Sequence, residues 1–128
     1  MNRAQADIIP ATVDWLAVRV TAEVRKSVPE DWTVYDGPLL VVADDGGPAR
    51  WPVKSRHTIR LTAWAEARDA AREVVTLAAA RLAGDRPRPA GVEHVSPDMG
   101  VVLDGRDANT GAFLASVLVT MVARMVTF

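Results

Sequence analysis

The sequence predicts an α+β domain in which an antiparallel or mixed sheet of four to five strands carries two helices on one face. Three observations predict it. Apolar residues recur at helical spacing near both 13–24 and 67–82. Residues 53–64 and 113–125 instead alternate with period two, the signature of half-buried strands. Gly-, Pro- and Asp-rich turns separate these stretches, giving the order helix, two strands, helix, two or three strands. At 128 residues the chain suits one domain spanning 1–128.

Val13, Leu16, Ala17, Val20 and Val24 form one apolar stripe, which predicts a helix from about Ala11 to Val28. Pro10 fits its first turn, and Pro29 keeps the preceding residue out of the helical region. Leu39–Ala43 is a short apolar run between Gly37-Pro38 and Asp44-Asp45-Gly46-Gly47, which predicts a strand covered on both faces. A hairpin across 44–52 leads into a long strand from Pro52 to Ala65. Val53, Ser55, His57, Ile59, Leu61 and Ala63 lie on its inner side. Lys54, Arg56, Thr58, Arg60, Thr62 and Trp64 lie on its outer, basic side.

Glu66–Ala83 predicts the second helix, buried through Ala67, Ala70, Ala71, Val74, Leu77, Ala78 and Leu82. Its alanines allow close approach to a sheet. Gly84 stands at the expected C-cap, and Pro87 and Pro89 forbid continuation. Val92–Val95 and Val101–Leu103 read as short strands. The last element, from Ala112 to about Thr127, keeps an unbroken period-two face (Phe113, Ala115, Val117, Val119, Met121, Ala123, Met125) and is rich in β-branched residues. It is therefore expected to be a strand despite its length.

Composition narrows function. Fifteen Lys+Arg against sixteen Asp+Glu leave a net charge of −1, so no global basic field drives sequence-blind nucleic-acid binding. The longest apolar stretch, Phe113–Ala123, is interrupted by Ser116 and Thr120 and is far shorter than the roughly 20 residues of a membrane span. Asp7 and Pro10 interrupt the N-terminal MNRAQADIIP where a signal peptide needs an apolar core, so export is not expected. The chain has no Cys, which excludes disulfides, thiolate zinc sites and thiol nucleophiles.

No arrangement of residues reads as an active site. His57 and His94 have no second ligand at i+2 or i+4 and read as structural histidines. Asp44, Asp45, Asp98, Asp104 and Asp107 could converge on Mg²⁺ as in a small metal-dependent nuclease, but all lie in or beside turns that favour Asp for backbone reasons. Ser27, Ser55, Ser96 and Ser116 have no nucleophile motif around them. Gly46-Gly47 runs into Pro48 and lacks a phosphate loop's context. Catalytic residues, cofactor and metal are all expected to be absent.

Two surface features remain. Lys54, Arg56 and Arg60, reinforced by Arg50, make a basic stripe, while the segment Glu30–Asp45 carries five carboxylates and no cation. The stripe is either a solvated strand face or a surface that meets an acidic patch on a partner or on a second copy. Trp51, in Gly46-Gly47-Pro48-Ala49-Arg50-Trp51-Pro52, is either folded back into the core or an interface anchor.

The order and spacing of these pieces carry a resemblance. They are the N-terminal amphipathic helix, Leu39–Asp44 with Asp-Asp-Gly-Gly, Val53 through Thr58-Ile59-Arg60-Leu61-Thr62-Ala63-Trp64-Ala65, and the Ala-rich helix. Val101–Gly111, with Gly105-Arg106-Asp107 before Asn109-Thr110-Gly111, then leads into a last strand ending near Arg124. From about residue 11 to 127 the chain resembles the tail terminator proteins of long-tailed (siphovirus-type) bacteriophages. Thirteen Arg against two Lys agrees with an actinobacterial host.

The resemblance implies a structural virion protein made in the host cytoplasm and placed in the neck region of the tail. It implies a homo-oligomeric ring, usually a hexamer, on the head-proximal end of the tube of major tail tube protein. There it would end polymerisation and offer a surface to head-side neck or stopper proteins, by steric means and without a chemical step. DNA could pass through the lumen without specific binding, and no membrane would be involved. The alternatives are another neck or head-completion (head–tail connector) protein, and the small metal-dependent nuclease.

Overall fold

The computed structural model describes residues 2–127. Its elements in chain order are β1 (Arg3–Ala4), α1 (Ile9–Ala17), β2 (Glu23–Arg25), a 3-10 turn (Val34–Asp36), β3 (Leu39–Asp44), β4 (Ala49–Arg50), β5 (Lys54–Ala65), α2 (Arg68–Gly84), β6 (Val92–Val95), β7 (Leu103–Arg106), β8 (Phe113–Arg124) and β9 (Val126–Thr127). The fold is α+β, as the alternation and helical stripes predict.

β5 and β8, twelve residues each, pair antiparallel along their whole length, from Lys54 opposite Arg124 to Ala65 opposite Phe113. Each spans about 36 Å at the usual rise per strand residue. One short strand cannot fill such an edge. β3 and β4 therefore share the far edge of β5, and β6 and β7 share the far edge of β8. The mixed sheet follows the path β2-β3-β5-β8-β6 and counts seven strands, more than the four to five predicted. The excess arises because two of the five lanes are each occupied by two strands. β1 and β9 form a separate two-stranded ribbon.

The N-terminal element departs from its predicted span. α1 stops at Ala17, and what reads as its second half turns and becomes β2, parallel to β3 with Val24 opposite Leu40. Val18, Val20, Thr21 and Val24 are β-branched and lose rotamer freedom in a helix. Pairing with β3 offers their backbone an alternative. Tertiary pairing thus overrides a stripe that continued on paper. Within α1 the buried residues are Thr12, Trp15 and Leu16, and the Trp15 indole N–H donates to Pro87 O at 2.8 Å.

α2 is rotated slightly from expectation. It buries Ala71, Val75, Ala78, Ala79 and Leu82, whereas Leu77 is exposed and Gly84 is its last residue. Asp85, in extended conformation, caps it and donates its N–H to Arg81 O. Both helices lie on one face of the sheet. There Leu40, Val42, Ile59, Leu61, Ala63, Val117, Val119 and Met121 meet Leu16, Val75, Ala78 and Leu82 in one core. Small residues on α2 let helix and strands approach closely enough to keep these positions buried.

The opposite face is covered at one end only. Trp32, Leu39 and Ala112 form a second, smaller cluster with Trp64, and the two indoles meet edge to face at 6.2 Å. Beyond it the face is open, and Val101, Leu103, Leu114 and Leu118 line a groove of about 570 Å³.

Asp104 on β7 ties that strand to the first turns of α2. Arg72 Nη1 donates to it at 2.7 Å, and Arg68 donates through Nε at 3.0 Å. The hydrogen bond from Arg72, joined by the charges of Arg68 and Arg72, holds its carboxyl below the ordinary 3.8. A depressed carboxylate stabilises the fold above its unfolded value, and the contribution disappears as pH falls through the folded one. An NMR titration should therefore find Asp104 titrating below pH 3.8, and Arg72→Ala should move it upward. An unmoved titration in the variant would refute the link.

Candidate functional site

The hairpin between β3 and β5 presents the basic residues. Its turn needs glycine twice. Gly46 has φ of 84°, and a side chain on Gly47 would collide with the Arg56 carbonyl oxygen. That close approach lets the loop fold back onto β5, with Arg56 N–H donating to Pro48 O and Thr58 N–H to Gly46 O, both at 2.9 Å. β4 then pairs Arg50 directly opposite Lys54, and on the other side Lys54 lies opposite Arg124.

Three cations thus stand abreast across three strands, with Arg56 next along β5. Like charges in register oppose strand pairing. Arg124 leans on Glu93 at 3.5 Å. Among the described residues Arg50, Lys54 and Arg56 make no ion pair, and with Pro48, Ala49 and Val122 they line a cleft of about 390 Å³. Arg60 does not belong with them. It is bound to Asp45 at 2.8 Å, so the stripe read from alternation divides into a free group and a neutralised one.

Trp51 lies at the tip of this hairpin and is 67% exposed, so it is not a core residue. Its indole N–H donates to Arg3 O at 2.9 Å, and Arg3 Nη1 reaches back to Pro52 O. The Trp51–Pro52 peptide is cis. Val53, expected inside, is 55% exposed because it lies in the turn before β5 begins, and Val126 on β9 is 46% exposed. The basic end therefore carries an aromatic ring held in place through its polar edge, with apolar neighbours.

Beneath this hairpin lies an arrangement that sequence reading missed. Asp44, His57 and Ser55 form a hydrogen-bonded chain, with Oδ2 to Nδ1 at 2.6 Å and Nε2 to Oγ at 2.7 Å. Asp44 also accepts the Gly46 N–H at 2.7 Å. The signal was present in the alternation: Ser55 and His57 share the inner face, and Asp44, opposite Ile59, is the diagonal neighbour of His57. The order of groups is that of a hydrolytic triad, but Ser55 has no exposure. As folded, the chain joins the end of β3 to β5 and fixes the base of the loop.

The remaining candidates are dispersed. Asp45 serves Arg60, Asp104 serves Arg68 and Arg72, and Asp107 takes the Thr110 hydroxyl at 2.6 Å, which holds its carboxyl below the ordinary range. His94 is exposed on β6. Among the described residues no three metal-ligating groups come together, and no helix is long and apolar enough to cross a membrane. No protein-family model matches this sequence, and no curated protein matches it.

Proposed function

We propose that the protein is a tail terminator of a long-tailed bacteriophage, a ring-forming structural subunit that ends tube growth and offers a surface for head–tail joining. The observation that carries the reading is the end of the sheet formed by the β3–β5 hairpin. A large aromatic residue stands exposed there beside cations left without partners, which suits a protein surface more than a small substrate. Aromatic residues and Arg are the side chains most enriched at energetically decisive interface positions. Support also comes from the α+β order of elements that the resemblance implies. The lengthwise pairing of β5 with β8 makes a stiff plate suited to a repeating assembly.

Negative-stain microscopy of the purified protein, alone and mixed with tubes of major tail tube protein, tests this. Rings, and density at one end of each tube that halts elongation, are expected. Tubes that elongate unaltered in its presence would overturn the reading.

A further inference from the structure

The two ends of the long strands carry a net charge of opposite sign, although Arg106, opposite Phe113 and stacked on its ring, adds a cation to the acidic end. Opposite the hairpin end, the segment before β3 packs its Trp32 on Trp64 and presents Glu30, Asp31 and Asp36, with Glu66 following the end of β5. Among the described residues none of these four makes an ion pair. Asp36 closes a capping box with Thr33, which fixes the short turn. In that turn Tyr35 is 89% exposed. So an exposed Tyr stands among unpaired carboxylates at one end and an exposed Trp among unpaired cations at the other, with the length of β5, about 36 Å, between the two ends. The net charge of −1 conceals this separation.

We infer that the two ends are the two halves of one contact between copies of this chain. The Trp51–Arg50–Lys54–Arg56 end of one subunit docks on the Glu30–Asp31–Tyr35 end of the next. The inference rests on the ring-forming reading and names the partner of its basic site. Two dissimilar surfaces on one chain make a head-to-tail contact, and such contacts close into rings when the rotation permits. Complementary charge steers the encounter and fixes its register, while the buried aromatics hold it. Arg124 already has Glu93, and the remaining clash of Arg50 with Lys54 is relieved in the assembly, because a neighbour's carboxylates supply the missing counter-charge.

Paired charge reversals test it. One variant carries Lys54→Glu and Arg56→Glu, and the other carries Glu30→Lys and Asp31→Lys. All four side chains are exposed, so circular dichroism and melting should stay native. Each variant alone should associate about 100-fold more weakly than wild type, because like charges then face each other. An equimolar mixture should recover rings of alternating subunits, read by mass photometry, and salt should weaken wild-type association.

Either variant assembling like wild type, or a mixture that stays monomeric or stops at a dimer, would overturn the inference. The two failures are distinguishable. If both variants form rings and cap tubes normally, the contact is elsewhere and the terminator reading stands. If the charge swap governs rings that ignore tubes, the contact stands and that reading falls. A wild type that is monomeric both free and on tubes overturns both.

Discussion

Replacing His57 by Ala should destabilise the fold by about 3 kcal/mol, because it strands two groups at once. Ser55 would keep a hydroxyl in the interior with no partner, and Asp44, whose side chain is only 23% exposed, would lose its 2.6 Å contact. A void would also open against Met121, which lies opposite His57 on β8. Ser55→Ala is a milder change, since it removes its own buried hydroxyl and leaves only His57 Nε2 without that partner, and should cost about 1–2 kcal/mol. A double-mutant cycle between Asp44→Ala and His57→Ala should show coupling of about 1 kcal/mol or more, since the groups touch. Urea unfolding followed through tryptophan fluorescence measures all of these. A His57→Ala loss within 0.5 kcal/mol, the usual range for surface changes, would mean that the chain of hydrogen bonds holds nothing together.

What the sequence made legible divides along physical lines. The 12-residue strands β5 and β8 were readable because period-two alternation persists through both, and burying one face is what the sheet requires of them. The end of α1 was not readable. Val20 and Val24 satisfy a helical stripe and an edge strand equally, and only the pairing of β2 with β3 decides between them. The strand count was hidden in length, since nothing local states that the edge of a 12-residue strand must be shared by two short ones.

At the candidate site, alternation placed Lys54, Arg56 and Arg60 on one face, but it could not show that Asp45 claims Arg60. That depends on where the hairpin folds back. Nor could it place Arg50, which joins the cations only through β4. The acidic end was visible as composition, five carboxylates without a cation between Glu30 and Asp45. Folding splits that set: Asp44 and Asp45 go to the basic end as internal partners, and Glu30, Asp31 and Asp36 stay at the far one.

Trp51→Ala should weaken assembly by about 2 kcal/mol or more, roughly a 30-fold loss of affinity, while leaving the subunit folded. Burying an indole that is two-thirds exposed in the free chain removes a large apolar area from water only when a partner covers it. The hydrogen bond from its N–H to Arg3 O sets the ring's orientation beforehand, so little freedom is left to lose on docking. The same bond ties the hairpin to the N-terminal ribbon, and its loss should cost the free subunit no more than about 1 kcal/mol. Trp51→Phe separates the two contributions, since it keeps most of the apolar area and removes only the donor. If area dominates, Trp51→Phe should assemble nearly as wild type and Trp51→Ala should not. If orientation dominates, both should fail together, and Arg3 should lose its contact with the loop in both. Sedimentation velocity across a concentration series gives the association constants, and thermal melting of the dilute subunit gives the folding cost. Unchanged assembly of Trp51→Ala, with melting lowered instead, would make Trp51 a clasp between the hairpin and β1 and remove it from the interface.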